Sequence, residues 1–595
     1  MLKGSAGLRP RMGDEGYAME RTGAASRREI LTGVAAGAAA LVAGASAASA
    51  ATAPQPQWAA EADVLVIGSG AAAMAAAVAI TQAGGKAIVV EKAAVVGGTS
   101  AKSAGAYWIP NSHLLRAKGA VDPKADVVRY MARDSYPAQY REDLPDLGIG
   151  ADKLALIEAY YDNAAAIIES LDRAGVLKGT IAEVEDYVDH TPDNKVPRLR
   201  AIVPLRPDGQ IGRGLELIRQ FKAWLTAHQV TMLLNHGVTG ILKNARGEVI
   251  GVTADTPDGQ VRLRARKAVI FATGGFSQNQ GLMQTFLRGP IHGACSVPFA
   301  QGDFVRIGIA AGAMLGNMSN GWHSEVVLEQ ALVSASVSVT MEVPPADSMI
   351  IVNKYGRRVV DEKRNYNARG RAHFVFDEIE NEYPNDLLYM IFDQRALELF
   401  AGDMHMPLPG AQEDYVISAP TLEALGRAIQ DRLGRHADKL GKRSLDAGFA
   451  AGLTDQIARF NADARKGVDS QFKRGTYPYD LDWHRHVDSV ERTDTKWEHN
   501  PGPNYTMYPI ASTGPYYAII LGAGLLDTNG GPIINASAQV IDTAGKPIPG
   551  LYGAGNCIAA PGGGGYWGAG ATLGPCITFG TIAGRHALAE PIKEA

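Results

Sequence analysis

Cysteine is scarce in this chain: 595 residues carry only Cys295, Cys557 and Cys576, and no two are spaced as a CxxC pair or a CxxCH haem attachment. A disulfide framework, a cysteine-built metal site and c-type haem are thereby disfavoured. Charge of one sign is also lacking. With a formal net charge of −4 and no lysine- or arginine-rich stripe, the chain offers no basic field, and no nucleic-acid partner is expected. The one long uncharged run, from Leu31 to Ala53, is mostly alanine and glycine, too weakly apolar for a stable membrane span. What is plentiful is glycine, 68 residues. Together with 46% hydrophobic and 20% charged residues, that describes a globular protein rich in tight turns. The length exceeds what one hydrophobic core usually supports, so two domains and a tail are expected.

The weak apolar run has another reading. Ser26-Arg27-Arg28-Glu29-Ile30-Leu31 precedes it as a twin-arginine pattern, and Ala45, Ala47, Ala48 and Ala50 offer small-residue cleavage points. Residues 1–53 read as a Tat signal with a pre-region, and Met19 as an alternative start. The expected location is the periplasm or beyond.

Asp63 to Ile67 is an apolar run of the buried parallel-strand kind, and it leads directly into Gly68-Ser69-Gly70-Ala71-Ala72-Ala73 and an alanine-rich helix. In this G-x-G-x-x-A pattern Gly68 permits the tight turn, Gly70 lets backbone approach a pyrophosphate, and Ala73 lets helix pack closely on strand. The helix N-terminus then faces the phosphates. A second strand, Lys86 to Val90, ends at Glu91, whose carboxylate suits the two ribose hydroxyls of a dinucleotide.

Glu91 and Lys92 are followed by Gly97-Gly98-Thr99-Ser100 and Ser103-Ala104-Gly105. Here the chain resembles the fumarate reductase and 3-ketosteroid dehydrogenase flavoprotein superfamily. The resemblance implies FAD, and an α/β fold: a discontinuous Rossmann-like FAD-binding domain with an inserted α+β substrate-capping domain. No histidine stands where succinate dehydrogenase relatives attach flavin, so the FAD is expected to be non-covalent. The meander from Val238, with its Pro257-Asp258-Gly259 turn, ends in a strand entering Thr273-Gly274-Gly275, the family's second cofactor contact. Gln301-Gly302-Asp303 resembles a segment beside the flavin. Gly555-Asn556 and a last helix opening at Thr572-Leu573-Gly574-Pro575 close the domain. The implied cofactor contacts are thus Gly68, Gly70, Ala72, Ala73, Glu91, Lys92, Gly97, Gly98, Thr99, Ser100, Ser103, Ala104, Gly105, Val238, Thr273, Gly274, Gly275, Asp303, Gly555, Asn556, Thr572 and Leu573. The expected boundaries are 60–321 and 483–595 for the two parts of the FAD domain and 322–482 for the cap, which holds a family-like Phe460, Asn461, Gly467, Asp469 and Arg474 pattern.

Within that superfamily the arginines of fumarate reduction are missing. Tyr366 stands where the proton-delivering arginine is written four residues after a glutamate, here Glu362. The carboxylate-clamping segment reads Gly568 to Pro575 without arginine, and a histidine pair is replaced by Leu526-Asp527-Thr528. The pattern resembles the 3-ketosteroid delta-1-dehydrogenase branch. That resemblance implies Tyr366 as base, Tyr187 as its relay, and Tyr517 with the backbone N–H of Gly522 polarising a substrate ketone.

The physical logic is that a carbon-bound proton leaves only when the adjacent enolate is stabilised by fixed donors. A phenol with a pKa near 10 needs help to act as base. The expected reaction is desaturation of the bond alpha,beta to the ketone of a bulky apolar ring. Electrons would pass to a separate acceptor: a quinone, a redox protein or oxygen. An ene-reductase running the reverse reaction and an exported flavin electron-transfer protein are the competing readings. His323 falls where relatives line the pocket, with a structural histidine as the alternative. Gly562 to Gly565 with Tyr566-Trp567 reads as a flexible lip with an aromatic wall, or as a plain loop. His484-Arg485-His486 is expected on a solvated face rather than at a metal.

Overall fold

The computed structural model describes residues 57–487 and 495–595; the expected Tat signal lies outside them. Strand β1 (Ala60–Ile67) buries Val64, Leu65 and Val66 on both faces, as a parallel strand covered by helices must. It turns at Gly68 into helix α1 (Ala71–Gln82), buried from Ala71 through Ile80. Small side chains all round let it sink between sheet and neighbouring helices. Strand β2 (Ala87–Val90) pairs parallel with β1, Val64 opposite Ala87, and β3 (Thr231–Leu233) pairs parallel with β2. The expected meander follows as β4 (Gly237–Lys243), β5 (Val249–Thr256) and β6 (Gly259–Phe271). Strands β4 to β6 pair antiparallel in succession, and β6 then runs parallel to β1.

The chain next builds a second sheet from β7 (Val326–Val327), β8 (Met349–Val352), β9 (Leu387–Asp393), β10 (Val416–Ala419) and β11 (Tyr516–Gly522). All its pairings are antiparallel, in the order β7-β11-β9-β8, with β10 also against β11. Its central strand thus comes from beyond residue 482. Strands β12 (Gln539–Ile541) and β13 (Pro547–Gly553) return to the first sheet, giving β12-β13-β6-β1-β2-β3 with β5 against β6. The first sheet is therefore assembled from both ends of the described chain, the discontinuous α/β arrangement expected. Helix α2 (Leu573–Ala589) closes it against α1. Contact is backbone-close: a Cβ at Gly584 would stand 2.6 Å from the Ala76 carbonyl oxygen, and one at Gly580 would overlap that of Ala72.

Beneath the second sheet lies a fully buried ionic cluster. Arg358 reaches Glu362 at 2.7 Å and Asp469 at 2.9 Å, and Arg474 reaches Glu362 at 3.3 Å. Phe472 lies under the Arg358 guanidinium at 4.9 Å. This cluster anchors the segment that leads to Tyr366. Breaking one partner of such a group strands the others without solvent. Arg358→Met is expected to lower unfolding stability by about 3–5 kcal/mol, read from urea denaturation; a loss under 1 kcal/mol would show the cluster to be dispensable.

Candidate functional site

A cavity of about 810 Å³ runs along the carboxyl ends of β1, β2 and β6, toward the upper end of the ~300–1,000 Å³ usual for ligand sites. Its wall includes residues 68–72, 91–92, 98–105, 273–274, 555–556 and 572–573. Gly68 has φ +105°, and a Cβ there would overlap the Ala272 carbonyl oxygen; only glycine fits that turn. Ser100 Oγ accepts from the Ala71 N–H at 3.1 Å, binding the second loop to the start of α1. Neither α1 nor α2 has an acidic residue in its first turn or a capping side chain. Two positive helix ends are thus left for an anion in the same cavity. Thr273 Oγ1 is buried there without a partner. Glu91 accepts from Ser69 Oγ at 2.6 Å and from the Ala93 N–H at 2.8 Å, so protein bonds orient its carboxylate before any ribose arrives. This donor set fits a dinucleotide with a pyrophosphate.

Five expected contacts do not line this cavity. Ala73 is wholly buried inside α1. Gly97 lies behind the wall, its added Cβ 2.7 Å from that of Ala101, and the Gly275 N–H donates to Asp527 Oδ2 at 3.0 Å. Val238 and Asp303 line a second cavity of about 480 Å³. Lys92 borders both spaces and holds Asp303 at 2.6 Å.

Three tyrosines converge on the main cavity. The Tyr187 hydroxyl donates to that of Tyr366 at 2.9 Å, and both side chains are buried. Tyr366 opens a short helical turn, Tyr366–Arg369, capped by Asn365, whose Oδ1 accepts from the Ala368 N–H at 2.8 Å. The Asn365 amide donates to the Tyr187 carbonyl at 3.0 Å, tying the two segments together. Tyr566 stacks on Tyr187 with centroids 5.2 Å apart and meets Tyr366 edge-on at 5.4 Å. Its own N–H donates to Asp134 at 2.8 Å, and the next carbonyl, of Trp567, accepts from the Tyr187 N–H at 3.1 Å. Burial drives the Tyr187 and Tyr366 hydroxyls well above the usual tyrosine range and Tyr566 up to about 12. All three rest as neutral phenols at pH 7.

Tyr517 and Gly522 are not part of this group. Both belong to β11, where Gly522 pairs with Val326 and Leu387. Tyr517 stacks on Phe392 at 5.6 Å and donates its hydroxyl to Gln394, and neither residue lines the cavity. Their place in a central strand commits them to sheet pairing. Tyr566, expected from the sequence only as part of an aromatic wall or a plain loop, and Gly570, which sequence reasoning did not select, line the cavity instead. Gly570 has φ +92°, its carbonyl accepts from the Trp108 N–H at 3.0 Å, and its own N–H meets no acceptor among the described residues.

The Gly562–Gly565 loop is fastened rather than free. Asn529 donates to the Gly563 carbonyl at 2.6 Å, Asn367 to that of Gly564 at 3.1 Å, and Trp322 to that of Gly565 at 3.2 Å. Trp322 lines the cavity, whereas His323 does not; burial pushes His323 down to about 3. His484 is not on a solvated face but buried in the helix Pro478–Val487, both ring nitrogens without a hydrogen-bond partner. Among the described residues no His, Cys, Asp and Glu group is arranged to hold a metal. Asp527, from the segment that replaces the histidine pair, also holds Ser277 at 2.6 Å and Asn556 at 3.0 Å, a bracing role.

A family model described as "FAD binding domain" matches residues 63–573. The chain is 30% identical over 547 residues to the 4-oxocyclohexanecarboxylate 2-dehydrogenase of Sinomonas cyclohexanicum, covering 85% of this chain and 89% of that protein. It is 29% identical over 565 residues to the 3-oxosteroid 1-dehydrogenase of Mycobacterium tuberculosis, covering 84% and 93%. Its fold is similar to that of 3-ketosteroid delta1-dehydrogenase from Sterolibacterium denitrificans, with a TM-score of 0.73 at 24% identity over 89% of this chain and 99% of that one.

Gly68→Ala is expected to reduce bound flavin by at least about tenfold, since the strained φ and the overlap with the Ala272 carbonyl displace the phosphate loop. The flavin-to-protein absorbance ratio of the purified variant checks this; a normal ratio would remove the loop from the cofactor site.

Proposed function

The chain belongs to the FAD-binding domain family, as an FAD-dependent dehydrogenase acting on CH–CH groups, and we propose that its substrate is a cyclic ketone desaturated alpha,beta to the carbonyl. The observation that carries this reading is the buried Tyr187–Tyr366 hydrogen bond on the cavity wall, with Tyr566 packed against both rings. The two relatives act, by name, on an oxosteroid and an oxocyclohexane acid, and a ring ketone is the part these share. Bound FAD supplies the acceptor for the hydride.

The chain's own residues handle the proton and the carbonyl. The ketone oxygen is held by the Tyr566 hydroxyl and the Gly570 N–H, two donors fixed before the substrate arrives. Fixed donors stabilise the developing enolate because they need no reorganisation in a dry site. The Tyr366 oxygen takes the proton from the adjacent carbon as its own hydroxyl proton departs, and Tyr187, donating to that same oxygen, holds it in place. Trp322, Trp483 and Tyr566 supply an apolar wall against water. Among the described residues Arg213 is the one arginine that lines this cavity, too few to clamp a dicarboxylate, which favours ketone over fumarate chemistry. Electrons pass on to a separate quinone, redox protein or oxygen, and the Arg27-Arg28 pattern supports export through the Tat route.

Anaerobic mixing of the oxidised enzyme with 3-oxosteroids and with 4-oxocyclohexanecarboxylate tests the reading by loss of flavin absorbance. Tyr366→Phe is expected to slow that loss by about 10²–10⁴-fold and Tyr566→Phe by about 10²–10³-fold, with flavin content unchanged. If neither substitution alters the rate, the tyrosines are structural. If the reduced enzyme is reoxidised rapidly by enones while no saturated ketone reduces it, the protein works as an ene-reductase.

A further inference from the structure

Glu342 lies in the wall of the same cavity, on the segment between β7 and β8, and the chemistry described so far leaves it idle. Only its backbone is engaged, the N–H donating to the Thr340 carbonyl at 2.9 Å; its carboxyl has no hydrogen bond or ion pair among the described residues. The groups that face it come from every side. Tyr187, Tyr366, Tyr566, Cys295 and Arg213 line the same cavity as Glu342, and Tyr479, on the helix Pro478–Val487, feels its charge as well. A negative charge on Glu342 raises all four phenols and the thiol. Arg213 alone among them favours the carboxylate, while burial pushes Glu342 upward. Of the other two cations in this wall, Lys102 donates to the Val337 carbonyl at 2.5 Å and Lys92 holds Asp303 at 2.6 Å.

The need for such a group follows from proton balance. Tyr366 already carries a proton that burial and neighbouring phenols hold tightly, so it accepts another only as its own departs. Neither Tyr187 nor Tyr566 is a sink, because each is a buried phenol of equal or similar reluctance. An ionised carboxylate is an acceptor only, whereas a neutral phenol must give up its own proton before it can keep another. We propose that Glu342 takes the Tyr366 phenol proton, directly or across one water, as Tyr366 takes the proton from the substrate carbon. The substrate C–H bond breaks and leaves its electron pair in the enolate. That proton forms the new O–H bond of Tyr366, whose former O–H bond breaks, and the released proton ends on a Glu342 oxygen. Nothing is oxidised in this step. The proton then leaves through the cavity mouth beside the exposed Arg213.

This inference rests on Tyr366 as the base, so the experiment follows proton movement alone. The holoenzyme is taken with its flavin pre-reduced, which blocks hydride transfer. NMR then records the loss of deuterium to water from a saturated 3-oxosteroid or from 4-oxocyclohexanecarboxylate, labelled beside the ketone. In the wild type the exchange rate at saturation is expected to rise with pH as Glu342 ionises, then level. E342Q is expected to lower the saturated rate by about 10²-fold or more and to flatten the pH profile, while E342D retains the pH dependence. Flavin content and near-ultraviolet circular dichroism verify folding of each variant. Wild-type exchange and pH profile in E342Q, with exchange abolished in Y366F, would overturn the role of Glu342 alone. A change confined to half-saturation in E342Q would make it a substrate-binding group and also overturn the proposal. Unaltered exchange in Y366F, or no exchange in the wild type, would remove the base and Glu342 with it.

Discussion

Two phenols hydrogen-bonded in a dry pocket are poor acids and poor bases, and much of this structure is organised around holding such a pair. The 2.9 Å bond between Tyr187 and Tyr366 joins residues far apart in sequence. Its length depends on backbone bonds made by a third segment around Tyr566 and Trp567. Displacing any one of the three segments would separate the hydroxyls. The phenols are kept neutral by the same burial that excludes water, so whatever basicity the site has must come from groups arranged around them.

Behind each tyrosine stands a buried ionic group. Asp186, next to Tyr187, is held by Arg200 and by the Trp108 indole N–H at 2.8 Å, and burial lifts its carboxyl to about 7. Glu362, four residues before Tyr366, lies between Arg358 and Arg474 with no exposure to solvent. Buried charges of this kind contribute little net stability against apolar replacements, yet removing one partner is severe. Their effect here is positional: they fix the chain directions from which the tyrosines project, in a region where loops rather than regular elements carry the site.

The cofactor wall was legible in the sequence because its constraints are local. A positive φ at Gly68, a small residue at Ala72 and a loop close to the start of a helix are dictated within a few residues, and a motif captures them. Tyr366 was reached through the family resemblance at its place four residues after Glu362, and Tyr187 through the resemblance alone. Tyr517 and Gly522 were misread because a short aromatic segment looks alike whether it ends in a loop or pairs as a central strand, and only the antiparallel register with β9 decides that. The burial of His484 was invisible for the same reason: three alternating charged and imidazole residues read as surface until the helix and its packing are known. Glu342 carried no motif at all, and only the folding of its segment onto the tyrosines brings it into view.

The first sheet takes β1 and β2 from the start of the described chain and β13 from near its end, and α2, the helix packed on α1, is made last. On a ribosome, therefore, the glycine loop at Gly68 emerges long before Asn556, Thr572 and Leu573 exist to complete the pocket. A nascent chain has no finished place for its cofactor until these last wall residues are made.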